Sequence, residues 1–293
     1  MKHLRYIIAI ISPMLLLACG GANTGKVSLQ LTDAPGDFKT AMVTISEIDL
    51  VGSGGTTVLT TTKTTTNLLT LANDTAKLVQ DAVVPSGTYT QLRFVITGAY
   101  VEVEQSGGGT IIYASSPSYE GLPSGAVVGG TLRMPSYAES GLKVDLPGGL
   151  NVGTDSKVLL VDFDVAQSFG LDAGASGAWV MHPVMTATEL VLSGTVNVTL
   201  KLAQGATLPG SATLGQFSAV LTNSGGSAKT LALSDAGNGT FSASFLYLIP
   251  GTYTLNLTAS GLSSFTTTPA VPLSVTVASG QPTAESFLLT AAQ

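Results

Sequence analysis

Lys26-Val27-Ser28-Leu29-Gln30-Leu31-Thr32-Asp33 sets its apolar residues on alternate positions, with Val27, Leu29 and Leu31 facing one way and Ser28, Gln30 and Thr32 the other. Period two is the mark of a half-buried β-strand. The same period runs through Val43 and Ile45 and again through Ile48 and Leu50. The phase slips by one between those pairs, as a β-bulge requires. Tyr89 to Ile96, Leu142 to Leu146 and Val184 to Leu192 are further strand candidates. Val158-Leu159-Leu160-Val161 is apolar without a break, which suits a strand covered on both faces. One helical turn is expected at Asn67 to Ala72, where Asn67 can cap Leu68-Leu69-Thr70-Leu71. The fold class expected is all-β.

A second series of strands starts at Gly194, with Val196 and Val198, then Phe217 to Leu221, Phe241 to Leu248, Tyr253 to Leu257, Val271 to Val277 and Phe287 to Leu289. Short turns of Gly, Asn and Ser separate them, as in a β-sandwich. Two sandwich domains of immunoglobulin-like or prealbumin-like type are expected, residues 26–192 and 193–293, joined by the very short link Ser193-Gly194. So short a link leaves the domains little freedom. Charge divides at the same point, because 16 of the 18 carboxylates precede residue 193. An echo connects the halves: Pro85-Ser86-Gly87-Thr88-Tyr89-Thr90 and Pro250-Gly251-Thr252-Tyr253-Thr254 each form a Pro/Gly turn that feeds a strand. A shared turn device is favoured over a repeated ligand loop.

The chain opens with Lys2 and Arg5, an apolar stretch from Tyr6 to Leu17, and then Leu16-Leu17-Ala18-Cys19. This is the pattern of a bacterial lipoprotein signal, with cleavage after Ala18 and acylation of Cys19, the only cysteine. The apolar stretch falls short of the roughly 20 residues that span a bilayer as a helix. Residues 1–18 are therefore expected to be a cleaved signal peptide and residues 19–25 an acylated tether. A triacylated, palmitate-bearing Cys19 exceeds the two signals needed for stable anchoring. Gly20 follows it where an Asp would retain a lipoprotein at the inner membrane. The expected location is the cell envelope, at the outer membrane on its periplasmic face or the cell surface, with the membrane as partner through Cys19.

Removing Lys2 and Arg5 leaves 10 basic residues against 18 acidic ones, a formal charge of −8. With no basic cluster either, nucleic acid is not an expected partner. An acylated Cys19 also leaves no thiol for disulfides or metal sites. His182 becomes the only histidine, too few for usual zinc sites. No Gly-x-Ser-x-Gly elbow supplies it with a serine. Gly107-Gly108-Gly109 lacks the lysine and helix of a phosphate loop and reads as a hairpin turn. Thr60 to Thr66 reads as a solvated strand or loop. No catalytic residue is assigned.

Asp162 and Asp164 lie two apart on an expected strand, so both face one way, about 6.6 Å apart along it. The pair fits a calcium-like cation, joined by Asp33, or the carboxylates of an inverting glycoside hydrolase. Structural carboxylates offset by hydrogen bonds, solvent or a partner such as Arg93 are the favoured reading. Asp33, before Ala34-Pro35-Gly36-Asp37, is expected to accept backbone N–H groups within that turn rather than to complete an oxygen site with Asp37. Tyr113, Tyr119 and Tyr137 lie in Gly/Pro/Ser-rich stretches and are expected to be exposed, where they can contact a glycan or an envelope protein.

The first region resembles a bacterial lipoprotein domain family of unknown function, DUF4382. The resemblance rests on Leu31-Thr32-Asp33-Ala34-Pro35, on Pro85 to Arg93, on Asp162-Phe163-Asp164 and on His182-Pro183, covering residues 26 to 190. It implies a secreted, lipid-anchored β-rich domain and transfers no activity. The second region resembles transthyretin-like and carboxypeptidase-regulatory-like sandwiches through Gly239-Thr240-Phe241 and Ile249 to Leu255. That resemblance implies a spacer, a dock or a carbohydrate-binding module. The function expected is a non-catalytic binding, docking or structural role in the envelope. The alternatives are a carbohydrate-binding lipoprotein and an envelope glycoside hydrolase that uses Asp162 and Asp164.

Overall fold

The computed structural model describes residues 23–34, 38–105, 107–135, 139–172 and 177–293. The N-terminal half holds β1 (Thr24–Ala34), β2 (Thr40–Gly52), β3 (Gly55–Thr60), β4 (Thr64–Asn67), β5 (Ala76–Pro85), β6 (Gly87–Glu104) and β7 (Thr110–Ala114). It continues with β8 (Val128–Arg133), β9 (Leu142–Val152), β10 (Ser156–Asp164), the single turn α1 (Val165–Ser168), β11 (Phe169–Leu171), β12 (Trp179–Met181) and β13 (Val184–Glu189). The C-terminal half runs β14 (Gly194–Leu202), β15 (Phe217–Thr222), β16 (Ala228–Ala232), β17 (Ser234–Gly237) and β18 (Thr240–Leu248). It ends with β19 (Gly251–Ala259), β20 (Phe265–Thr268), β21 (Leu273–Val277) and β22 (Pro282–Ala292). The chain is all-β.

Each half is two facing sheets. The first packs β13-β10-β1-β5 against the larger sheet β11-β12-β8-β7-β6-β2-β3, to which β4 and β9 also pair. The second packs β17-β18-β14-β22-β20 against β16-β15-β19-β21. The opening strand of each half is central in its sheet, with a parallel and an antiparallel neighbour: β10 and β5 flank β1, and β22 and β18 flank β14. The alternation that predicts β1 puts Val27, Leu29 and Leu31 in one core with Phe94 and Phe163. A separate core forms around Val196, Val198, Phe217, Phe245 and Phe287. The phase slip in β2 is a real irregularity, with register shifts on either side of Ile45 that return Ile48 and Leu50 to the buried face.

The helical turn forms at Leu68–Leu71, and the Asn67 side chain accepts from the Leu69 N–H. The Pro/Gly echo is a structural device. Tyr89 Oη donates to the Pro85 carbonyl at 2.9 Å and Tyr253 Oη to the Ile249 carbonyl at 2.8 Å. Each tyrosine thereby pins the turn four residues before it, in the manner of a tyrosine corner. Tyr89→Phe keeps the ring and loses this bond, so urea denaturation should show a loss of about 1 kcal/mol. An unchanged midpoint would show that the corner contributes nothing.

Candidate functional site

Along β10, Leu159, Val161 and Phe163 enter the N-terminal core, while Leu160, Asp162 and Asp164 take the other face. The C-terminal half packs on that second face. Asp164 ends β10 and caps α1, its Oδ1 accepting from Gln167 N at 3.0 Å and its Oδ2 from Gln167 Nε2 at 2.6 Å. Two further donors come from the other sandwich: Ser227 Oγ on Oδ1 at 2.5 Å and Asn223 Nδ2 on Oδ2 at 3.1 Å. An acceptor-only carboxylate suits this set, because both oxygens receive two donors. Asn223 and Ser227 bracket the β15–β16 turn, which Asn223 also closes through Ser227 N at 2.9 Å. At the tip of that turn a Cβ on Gly225 would collide with the Gln167 amide. A side chain at Gly225 would therefore displace the Gln167 amide from its bond to Asp164.

Beside Asp164 lie Asp33, Asp162 and Lys229. Asp33 is fully buried, with Oδ1 accepting from Val165 N at 3.3 Å. Burial pushes its carboxyl up to about 8, with the Asp162 charge adding to the rise and Lys229 opposing it. Burial also raises Asp162, against the pull of Lys229. Lys229, on β16, is 6% exposed. Four buried side-chain atoms among the described residues lack a hydrogen-bond partner, and three of them, Asp33 Oδ2, Asp162 Oδ1 and Lys229 Nζ, belong to this cluster. Asp162 and Lys229 line one small space of about 10 Å³ with Asn223 and Tyr253. On the outer side of Asp162 a cleft of about 220 Å³ opens between Thr186 on β13, the turn at Ser224 and the start of β19 at Thr252. Burial raises the Tyr253 hydroxyl as well, and the Asp162 charge adds to that.

A second contact fixes the halves from the side. Asn73 holds a left-handed backbone, φ 64°, which asparagine tolerates better than most residues. Its Nδ2 donates to the Ser244 carbonyl at 2.9 Å, and its Oδ1 accepts from Leu246 N at 2.5 Å. One side chain thus satisfies the stretch of β18 that lies beyond its pairing with β17.

Asp162 and Asp164 do share a face, and the structure brings Asp33 to them. Their surroundings differ from expectation in two respects. Arg93 is not their partner: it lies on the opposite sheet, where Nε donates to Asp49 Oδ2 at 2.7 Å and Nη2 reaches Glu47 at 3.3 Å. Lys229 is the nearby cation instead, acting on Asp162 and Asp33 through its charge rather than through a hydrogen bond. Asp33 serves a backbone N–H far along the chain, at Val165, because parallel pairing sets β1 beside β10 and its end beside α1. No group of three or more His, Cys, Asp or Glu among the described residues is arranged to hold a metal ion. His182 is exposed between β12 and β13.

The tyrosines require a correction. Tyr119 is buried, since its ring lies where Gly98 and Gly121 carry no Cβ and its hydroxyl bonds Thr44 Oγ1 at 2.5 Å. Tyr113 lies on β7, half-buried against Trp179 with ring centroids 5.8 Å apart. Neither is the exposed loop aromatic that its neighbouring residues suggest. Tyr137, Asp37 and Cys19 fall outside the described residues. Lys229, Asn223, Ser227 and Asn73 escape a reading of the sequence. The one signal is the phase of β16, which sets Lys229 on the same side as Leu231.

These features define an all-β protein of two sandwiches joined through a polar interface. The chain belongs to the family described as "Domain of unknown function (DUF4382)", whose model matches residues 24–183. No curated protein matches it. Among solved structures it is similar to the Bacillus anthracis TIE protein, with 13% identity and a TM-score of 0.22 over 91% of this chain and 34% of that one. It is also similar to a leucine-rich repeat protein from Bacteroides thetaiotaomicron, with 14% identity and a TM-score of 0.21 over 92% of this chain and 26% of that one. A third is BcpA, the major pilin subunit of Bacillus cereus, with 9% identity and a TM-score of 0.27 over 91% of this chain and 70% of that one. The chain thus spans about a third or less of the first two. Likenesses at these scores transfer no function.

The raised Asp33 carboxyl makes stability depend on pH. Above the ordinary aspartate range the unfolded chain releases a proton that folded Asp33 keeps up to about pH 8. The folded state then holds more protons, so stability falls as pH rises from about 4 to about 8. Asp33→Asn fixes the neutral form, and urea midpoints across that range should lose part of their slope, the remainder belonging to the raised Asp162 carboxyl. A slope unchanged in the variant would assign the dependence to other groups.

Proposed function

We propose that this chain is a lipid-anchored protein of the bacterial cell envelope, placed at the outer membrane, with a non-catalytic binding, docking or structural role. The engagement of Asp164 carries the non-catalytic part of the reading. Both its oxygens are taken by donors that join the sandwiches. A hydrolytic partner for Asp162 would need one of them free to meet a water or a glycosidic oxygen. The anchor rests on Leu16-Leu17-Ala18-Cys19 and on the start of β1 at Thr24, five residues later. A tether of that length spans at most about 18 Å, so the N-terminal sandwich stays close to the lipid surface. The calcium reading has weaker support, since Lys229 already brings a positive charge to the carboxylates.

Fractionation of cells tests the proposal. Cys19→Ser should move the protein from the membrane to the soluble fraction, and the unaltered protein should incorporate labelled palmitate. Continued membrane retention of the variant would overturn the anchor.

A further inference from the structure

Among the described residues, three buried atoms without a hydrogen-bond partner meet where the sandwiches join: Lys229 Nζ, Asp162 Oδ1 and Asp33 Oδ2. Buried polar atoms in native proteins nearly always have partners, so three in one cluster call for a chemical reason. Lys229 comes from β16 of the C-terminal sandwich, while Asp162 and Asp33 come from the paired strands β10 and β1 of the other. Among the charges acting on Asp162 that of Lys229 is foremost, and among those acting on Asp33 that of Asp162 is. Lys229 and Asp162 both border the closed space of about 10 Å³, which Leu221, Leu248 and Tyr253 also line. Nζ stands outside hydrogen-bond reach of Asp162 Oδ1. The space has room for one water-sized group, a gap that the flexible four-carbon stem of lysine can close.

Asp33 adds the third part. Its Oδ1 accepts from Val165 N, and burial keeps a proton on the carboxyl up to about pH 8. A carboxyl that holds its proton at neutral pH serves as a general acid. An amine, a carboxyl that receives it and an acid beside them are the components of amide formation.

We propose that Lys229 and Asp162 condense into an amide, a covalent bond from Lys229 Nζ to Asp162 Cγ that locks the two sandwiches together. Nζ passes a proton to the Asp162 carboxylate, and the freed lone pair attacks Cγ. Asp33 gives its proton to the departing hydroxyl, which leaves as water, and recovers one from Nζ. One ammonium and one carboxylate become one amide and one water, with no change of oxidation state. Two buried charges disappear, which relieves the cost of holding them away from water. Asp164 takes no part, because four donors already occupy its oxygens. The bond also withdraws Asp162 from titration, so its share of the pH dependence of stability belongs to the unbonded chain. Neither the lipid anchor nor a binding role is needed for it.

The intact mass of the denatured acyl-free chain, Cys19→Ser, tests the proposal. That chain should weigh less than its sequence by one water. Trypsin should fail to cut after Lys229, leaving residues 158–201 joined to residues 202–293. Asp162→Asn should form the same amide with loss of one ammonia instead. Lys229→Arg, which keeps the charge, should show its full sequence mass, and Asp33→Asn should leave most of the chain unbonded. A full-mass chain that trypsin cuts after Lys229 would overturn the proposal, whether or not any variant folds. Water loss that persists in Lys229→Arg would overturn it too, and complete bonding in Asp33→Asn would overturn the part given to Asp33.

Discussion

The arrangement of the molecule depends on one carboxylate, that of Asp164, which ends β10 and gathers donors from both sandwiches. Two donors belong to Gln167 in its own half, and two, Asn223 and Ser227, belong to the other. Hydrogen bonds to a charged group contribute about 1.5–3 kcal/mol each. Burial of the charge offsets part of that gain. What remains is directional, and it fixes where the β15–β16 turn sits on β10. The Asn73 contact with β18 adds a second fixed point, and two such points remove the swivel that the link at Ser193-Gly194 would otherwise allow.

The Asp33, Asp162 and Lys229 cluster follows from that docking. β1 and β10 are parallel neighbours, so Asp33 and Asp162 reach the same end of the sheet. The docked turn then brings β16, and with it Lys229, over them. An apolar interface of the same area would hold at least as well, since buried ions are weak sources of stability.

Much of the strand pattern is legible in the sequence, because period two survives wherever one face of a sheet meets a core. Leu29 and Leu31 show it, and so does the irregularity that carries Ile48 and Leu50 back inward. The Asn67 cap is equally local. Asp162 and Asp164 are legible as a pair on one face, but their partner is not, for that depends on which half packs there. Arg93 belongs to the same half of the chain but is drawn off by Asp49 and Glu47. Lys229 looks like a solvated strand residue until the docked halves bury it. Tyr119 fails for a similar reason: the two glycines that receive its ring stand 23 residues apart, on a strand and in a loop.

Calorimetry of the acyl-free chain tests most directly whether this joint makes the sandwiches one unit. The unaltered chain should unfold in a single transition, with equal calorimetric and van't Hoff enthalpies. Asn223→Ala with Ser227→Ala, which leaves both hydrophobic cores intact, should split it into two. Two independent transitions in the unaltered chain would contradict the account.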